Sequence, residues 1–306
     1  CRAGSRRAPA AVSGCSQRRS HLPLPNFIII GAGKCGTTSL WRYLDQSPDI
    51  SMSAVKEPGF FSNDDIWVRG VEWYSQIFHK KHDKCLVGEA SNVYSAINSN
   101  PSTIDRMRRV LDEETKFIYC VRNPIKRTES DFMHATNDGA QADFSDFIRN
   151  DAAYRDKNSY KRTLDAYRSA FGEENVMVIF FEDLVAETHR EVAKVCDFLN
   201  VRKPDVLDSS AHGITSRQMH LPNAVRRIQG SATYAKFSHR LPSKLKTALR
   251  TMLGKEVTTT RPAWRREDFE TFVQEHRPDA IQFLKLMGKS TEHWSFDKTV
   301  VKLEVE

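Results

Sequence analysis

The stretch that decides the fold is Phe27–Arg42, which reads FIIIGAGKCGTTSLWR. It begins with an unbroken apolar run, Phe27–Ile30, rich in β-branched residues and typical of a buried parallel strand. A glycine-rich turn, Gly31–Gly36, follows, and a helical pattern comes after it. Glycines let main-chain N–H groups point into such a turn, and the start of a helix adds unpaired donors and partial positive charge. The sequence therefore predicts an anion site, with charge and hydroxyl donors supplied by Lys34, Thr37, Thr38 and Ser39.

Two families of phosphate-binding loop can be compared with this turn. A Walker A loop requires lysine directly after the second glycine of Gly-x4-Gly. Gly31 and Gly36 have that spacing, but Thr37 follows them and the lysine comes two residues early, at Lys34. A nucleoside triphosphatase is therefore disfavoured.

The dinucleotide-binding fingerprint fits the glycines better. Gly31-x-Gly33-x-x-Gly36 follows a strand, and Glu57 comes 21 residues after Gly36, near where a ribose-binding acid is expected. An NAD(P)-dependent oxidoreductase is therefore an alternative, although it gives Lys34 no role and places Pro58 directly after its acid.

The length and composition suit one large α/β domain or two small ones, since the chain has 306 residues of which 40% are hydrophobic. The sequence contains no run of about 18 apolar residues, so no membrane span is predicted. Residues 1–26 contain five arginines and no acid, and we expect a disordered basic lead. This lead is interpreted as a transit-peptide remnant, the stem of a missing membrane anchor, or an arbitrary chain end.

The net charge of +7 is concentrated in this lead, because residues 27–306 carry 41 basic and 39 acidic groups. Residues 212–255 nevertheless hold nine Lys or Arg and no acid. This basic stretch indicates either a solvated helix face or attraction to an anionic ligand or polymer, which keeps open a non-catalytic binder of sulfated or phosphorylated polymers. No nucleic-acid partner is expected.

The six cysteines do not have the spacing of a zinc site. Cys85 and Cys120 lie in apolar, strand-like runs and are predicted to be reduced core residues, while disulfide pairing of the others is left open. Cys35 lies in the predicted anion-binding turn, Gly31–Gly36, called the anion loop below. The N-terminus of the following helix is expected to lower the pKa of Cys35.

Strand-like and helical segments alternate along the chain. Strands are predicted at 27–30, 50–55, 85–89, 116–122 and 176–181, with helices between them and a mostly helical part from about Thr188, including 242–253 and 266–287. A helix over 71–78 is expected to cap the site. The alternation predicts an α/β fold with a parallel sheet covered on both faces.

Two further segments follow predicted strands. Lys56-Glu57-Pro58-Gly59-Phe60-Phe61 forms a loop after the second strand, and Arg122 ends the fourth, eight residues before Ser130 on the next helix. The carboxyl ends of parallel strands are where ligands bind in open α/β sheets. A strand-end arginine can direct two donors at a phosphate, and a helix hydroxyl can complete the contact.

With these motifs together, the chain resembles the PAPS-dependent sulfotransferases, in the branch of Golgi carbohydrate and heparan sulfate sulfotransferases and their bacterial relatives. The resemblance runs from about Pro25 to Trp294. It implies a single P-loop-like domain over 27–300 that transfers the sulfuryl group of PAPS to an acceptor hydroxyl and releases PAP, without a metal.

The resemblance also implies roles for individual residues. Glu57 would be the general base, with Lys56 beside the sulfuryl group, and Arg122 and Ser130 would hold the 3′-phosphate. The residues implied for the 5′-phosphosulfate are Lys34, Cys35, Gly36, Thr37, Thr38 and Ser39.

The chain departs from the family in two places. Glu89-Ala90-Ser91-Asn92 stands where members often have Glu-Lys-Ser-Pro, so a substrate-orienting lysine is missing and Glu89 is a second candidate base. The C-terminal Lys-Gly-Arg loop is replaced by a segment with Gly213 and Arg217 but no flanking cysteine pair, and Arg217 is assigned to the nucleotide. The expected acceptor is an oligosaccharide, a lipid-linked sugar or a smaller alcohol, in the Golgi lumen or in a cytoplasmic or organellar compartment.

Overall fold

The computed structural model describes residues 22–78, 86–137, 143–150, 152–204, 207–208, 218–220, 255–257 and 261–304. Within this part, five parallel strands form the central sheet in the order β2-β3-β1-β4-β5. Their bounds are Phe27–Gly31 (β1), Ile50–Met52 (β2), Leu86–Ala90 (β3), Lys116–Val121 (β4) and Val176–Phe180 (β5). The predicted parallel α/β sheet is confirmed.

Helices follow the strands, as the alternation predicts. They are Thr37–Asp45 (α1), Asp64–Trp67 (α2), Gly70–Gln76 (α3), Thr103–Val110 (α4), Pro124–Asn137 (α5), Phe144–Asn150 (α6), Ala152–Asn158 (α7), Tyr160–Phe171 (α8), Phe181–Ala186 (α9), Thr188–Phe198 (α10) and Arg266–Leu286 (α11). Short 3₁₀ turns cover Asn92–Ser95, Glu173–Asn175, Thr291–His293 and Lys298–Val300. The predicted helix over 242–253 lies outside the described residues.

Two small strand pairs were not predicted. Gln218–His220 (β6) pairs with Lys255–Val257 (β7) in antiparallel fashion, and Ala263–Trp264 (β8) pairs with Lys302–Leu303 (β9) in parallel. They interrupt the C-terminal part, which was expected to be mostly helical.

The central position belongs to β1, whose five residues are all buried between β3 and β4. The chain order reverses at this point, so the loop after β1 lies where α/β sheets bind ligands. The order also differs from the 3-2-1-4-5-6 order of dinucleotide-binding sheets. In those sheets the ribose-binding acid follows the second strand, which lies next to the first. Here β3 lies between β1 and β2, so Glu57, which follows β2, is not on the strand next to β1. This order argues against the oxidoreductase alternative.

Aromatic side chains fill much of the core around the sheet. Trp264 and Trp294 are buried. Helix α3 packs Tyr74 into the core, where its ring stacks on Phe60 with 4.4 Å between centroids and also contacts Phe61. A capping role of this helix stays a prediction.

Arg127 lies on α5 and is enclosed by the fold. The side chain is fully buried, and it donates to Asn158 Oδ1 at 2.6 Å and to Asp131 Oδ2 at 3.0 Å. A buried guanidinium requires such partners, because unpaired burial of a charge is costly. Arg127 therefore ties α5 to α7.

Cys35, Cys120 and Cys196 are buried, free thiols, so the prediction of a reduced core cysteine is confirmed for Cys120. Cys85 lies outside the described residues. Within the described ranges, no helix combines the length and the apolar character needed to cross a membrane.

A buried carboxyl group holds the end of β3 against the loop that follows β2. Glu89 has no exposed surface and accepts hydrogen bonds from the hydroxyls of Tyr74 at 2.7 Å and Ser91 at 3.1 Å. Ser91 Oγ in turn accepts from the Gly59 main-chain N–H at 3.0 Å. Burial raises the pKa of Glu89 to about 7, although the hydroxyl donors oppose the shift.

This carboxyl group should make stability depend on pH. Its pKa is higher in the folded protein than the ordinary value of 4.5, so its contribution is present at low pH and is lost as the pH rises through 7. Relative to Glu89→Gln, we expect the wild-type free energy of unfolding to fall by about 2 to 3 kcal/mol between pH 5 and pH 8. Chemical denaturation at both pH values measures this difference. Glu72→Gln, at an exposed position on α3, is the control, and identical pH slopes for the wild type and Glu89→Gln would contradict the prediction.

Candidate functional site

The loop between β1 and α1 has the main-chain conformation of an anion site. Gly31, Lys34 and Gly36 all have positive φ, at 126°, 68° and 83°. Gly36 also caps α1 without a side-chain hydrogen bond, so the first helical N–H groups have no capping side chain. A Cβ on Gly36 would lie 2.9 Å from the ring of Phe181, so the position requires glycine. Main-chain donors are therefore held at the carboxyl end of β1.

The side chains of this loop divide into buried and accessible groups. Thr37 is 3% exposed, and its hydroxyl donates to Asn92 Oδ1 at 2.9 Å rather than serving as a donor for an anion. Thr38 is exposed and Ser39 is half-buried in the first turn of α1. Among the three predicted hydroxyl donors, Thr38 and Ser39 therefore have the better access to a ligand.

The expected low pKa of Cys35 is wrong. The thiol is fully buried and donates weakly to the Gly33 carbonyl at 3.6 Å. Burial raises the pKa of Cys35 to about 12, because its effect is larger than the lowering effect of the positive charges of Arg127 and Arg122. Cys35 can therefore reach a ligand only through its main chain.

Lys56 and Glu57 lie on the loop after β2, as predicted. Glu57 adopts a positive φ of 58°, and its N–H donates to the Ala90 carbonyl at 2.8 Å, which anchors it to the end of β3. Its Oε1 forms an ion pair with Lys56 and accepts from Asn92 Nδ2 at 2.8 Å. Because Asn92 also accepts from Thr37, two hydrogen bonds connect the Glu57 carboxylate to the start of α1.

Glu89, the second candidate base, cannot reach an acceptor in this structure. Its side chain is fully buried in contact with Tyr74 and Ser91. The Glu57 side chain, by contrast, is 43% exposed. Of the two carboxylates, Glu57 alone is accessible to an acceptor from solvent.

Arg122 leaves the end of β4 and reaches the anion loop. Its Nη1 donates to the Lys34 carbonyl at 3.1 Å, and its guanidinium lies 4.3 Å from the centre of the Phe181 ring. The Tyr160 hydroxyl fixes the main chain by donating to the Arg122 carbonyl at 2.7 Å. The structure thus brings Arg122 and Lys34 to the same edge of the sheet.

Ser130 lies on α5, which begins at Pro124 after Asn123. The Asn123 Oδ1 accepts from the Ile125 N–H at 3.0 Å, a capping contact that favours helix initiation beside a proline at the first position. Ser130 is 3% exposed, and its Oγ has no hydrogen-bond partner among the described residues. A buried hydroxyl of this kind fits a position that a ligand oxygen completes.

A second arginine, which the sequence did not indicate, lies near Arg122. Arg261 Nε donates to Glu129 Oε2 at 2.5 Å, and Trp264 Nε1 donates to Glu129 Oε1 at 3.0 Å. Burial, followed by the positive charge of Arg122, lowers the pKa of Arg261. Arg261, from a segment more than 130 residues away, thus pairs with the carboxylate that precedes Ser130 in the sequence.

Arg217 lies outside the described residues. So does most of the basic stretch 212–255, of which the structure describes 218–220 and Lys255.

Besides Arg261, two further site residues, Asn92 and Phe181, were missed in the sequence. The sequence contains one indication of a role for Asn92, because this residue stands in the segment that departs from the Glu-Lys-Ser-Pro pattern. Phe181 follows a strand and gives no local indication that its ring contacts both Gly36 and Arg122.

Comparison with known proteins places this geometry in a family. A model described as a sulfotransferase domain matches residues 24–239, more than two thirds of the chain. The membrane-associated sulfotransferase kil1 of Dictyostelium discoideum is 38% identical over 114 residues, which cover 36% of this chain and 23% of that protein. Human heparan sulfate glucosamine 3-O-sulfotransferase 3B1 is 23% identical over 291 residues, which cover 92% of this chain and 68% of that protein.

A solved structure agrees with the fold. The sulfotransferase from Alicyclobacillus acidocaldarius superposes with a TM-score of 0.64 at 25% identity, covering 89% of this chain and 98% of that one. The matched region 24–239 includes the anion loop, Glu57, Arg122 and Ser130. The resemblance noted in the sequence is thereby confirmed, and the chain belongs to the sulfotransferase family.

Proposed function

We propose that this chain is a PAPS-dependent sulfotransferase that modifies a hydroxyl group of a carbohydrate, with Glu57 as general base. The observation that carries the proposal is the position of Glu57, whose carboxylate is accessible and is joined through Asn92 to the first residue of α1. An acceptor hydroxyl there would lie between a base and an anion-binding loop. Family membership supports the same reaction.

The residues at the sheet edge fit the nucleotide. Lys34, the N–H groups at the start of α1, Thr38 and Ser39 would hold the 5′-phosphosulfate, while Arg122 and Ser130 would hold the 3′-phosphate. The buried hydroxyl of Ser130, which has no hydrogen-bond partner among the described residues, supports this fit. Arg217 remains a proposed contact with the nucleotide.

PAPS, when bound, supplies an activated sulfuryl group. The protein contributes position and charge. Glu57 accepts the proton of the acceptor hydroxyl, and Lys34, Lys56 and the loop N–H groups stabilise negative charge on the leaving phosphate. No metal is assigned a role in these steps.

The acceptor class rests on the relatives. Human and mouse proteins that match this chain are named as heparan sulfate glucosamine 3-O-sulfotransferases, which supports a carbohydrate hydroxyl. A smaller alcohol is the second candidate, because Ala90, at 1% exposure, stands where many family members have a substrate-orienting lysine.

Incubation with labelled PAPS and a panel of glycans and small alcohols, read by mass spectrometry, tests the proposal. We expect sulfuryl transfer to a glycan hydroxyl by the wild type. Glu57→Gln should lower turnover by about 100-fold or more, because the base is lost, while PAP affinity stays nearly unchanged. Glu72→Gln serves as the control. Full turnover in Glu57→Gln would remove Glu57 from the mechanism, and absence of transfer to the entire panel would contradict the proposed function.

Arg122→Ala tests the assignment of the 3′-phosphate. Loss of a charge-assisted contact worth about 1.5 to 3 kcal/mol should weaken PAP by roughly 10- to 100-fold. Adenosine 5′-phosphosulfate lacks the 3′-phosphate and should be affected much less. Calorimetric titration of both ligands measures the difference, with Arg149→Ala, a half-exposed arginine on α6, as the control. Equal losses for the two ligands would place Arg122 elsewhere.

A further inference from the structure

The side chain of Asn92 connects two parts of the site that lie far apart in the sequence. Its Nδ2 donates to Glu57 Oε1 at 2.8 Å, and its Oδ1 accepts from the Thr37 hydroxyl at 2.9 Å. The two partners lie 35 and 55 positions before it. One amide group thus uses its donor and its acceptor to join the loop after β2 to the start of α1.

Glu57 requires such a contact to hold one orientation. Its main chain is fixed by the hydrogen bond to Ala90 and by its positive φ, but its side chain is 43% exposed. Among the described residues, the other contact of its carboxylate is Lys56, the adjacent residue, whose flexible side chain is itself 26% exposed. Exposed ion pairs of this kind constrain geometry weakly. Asn92 therefore supplies the contact that comes from a fixed part of the fold.

The position of Asn92 is itself well anchored. It begins the 3₁₀ turn Asn92–Ser95, and its carbonyl accepts from Ser95 Oγ at 3.0 Å. The preceding residue, Ser91, donates its N–H to the Ile29 carbonyl of β1 at 3.0 Å. The Asn92 side chain also runs beside the anion loop, since a Cβ on Gly33 would lie 3.8 Å from Asn92 Cβ.

We propose that Asn92 is a positioning residue that orients the Glu57 carboxylate toward the anion loop. This inference rests on the proposed function of Glu57 as general base. The amide is chemically specific, because an aspartate would keep the acceptor for Thr37 and lose the donor for Glu57. The residue stands where many family members have proline, which has no side-chain hydrogen-bonding group, so the contact distinguishes this chain from them.

Asn92→Asp is the most selective test, because it preserves shape and the contact with Thr37. We expect kcat for sulfuryl transfer to fall by about 10- to 100-fold, as for a misplaced catalytic group, while the Kd for PAP changes by less than about threefold. The matched control is Asn98→Asp, since Asn98 Nδ2 also donates to a carboxylate, that of Asp156, at 2.8 Å. This control should keep kcat within about twofold of the wild type.

The double variant Glu57→Gln with Asn92→Asp exchanges the amide and the carboxylate. We expect Asn92→Asp alone to lower the melting temperature, because two carboxylates then face each other. The double variant restores one donor and one acceptor, so its melting temperature, measured without nucleotide, should return toward that of the wild type while turnover stays low. This measurement reports the contact independently of activity.

The outcomes separate the two levels of the proposal. If wild-type protein transfers no sulfuryl group, the proposed function fails, whereas the melting measurements still report the contact. If the wild type is active and Asn92→Asp keeps full kcat, the positioning role is wrong. A parallel loss of kcat and PAP affinity, or an equal loss in Asn98→Asp, would indicate a general structural effect and would also overturn it.

Discussion

The packing of Phe181 against Gly36 is the contact on which the site depends. The ring lies so close to Gly36 that a Cβ there would approach it to 2.9 Å, and the same ring lies 4.3 Å from the Arg122 guanidinium. A single aromatic side chain at the start of α9 therefore limits the shape of the anion loop and supports the strand-end arginine. Because Phe181 directly follows β5, which pairs with β4, the central sheet helps to fix the position of this ring.

Charge and hydrogen bonding at this edge follow a consistent arrangement. Lys34 and Arg122 meet at the loop, and Arg261 lies beside Glu129 near Ser130. The accessible carboxylate, Glu57, connects to the loop through Asn92 and Thr37. Basic groups thus lie at the edge of the sheet where we propose that the nucleotide binds, and the proposed general base is accessible at the same edge. The buried Glu89 has a structural role, holding β3 and the Glu57 loop together.

The features that depend on local sequence were predictable. The apolar run of β1, the glycines of the loop and the Arg122-Asn123-Pro124 segment each determine their own conformation within a few residues, and the structure places them as expected. Features that depend on tertiary packing were not predictable. Thr37 is turned to Asn92, and Arg261 reaches Glu129, over separations of 55 and 132 positions. For Cys35, the helix N-terminus suggested a low pKa, but burial has the larger effect.

A crystal structure with PAP bound tests the central claim most directly, namely that one nucleotide is held between the anion loop and the β4–α5 unit. The 5′-phosphate should contact Lys34 and the N–H groups of residues 36–39, and the 3′-phosphate should lie within hydrogen-bond distance of Arg122 and the Ser130 hydroxyl. PAP bound at another location, or bound at the loop with Arg122 still on the Lys34 carbonyl and Ser130 Oγ unpartnered, would contradict it.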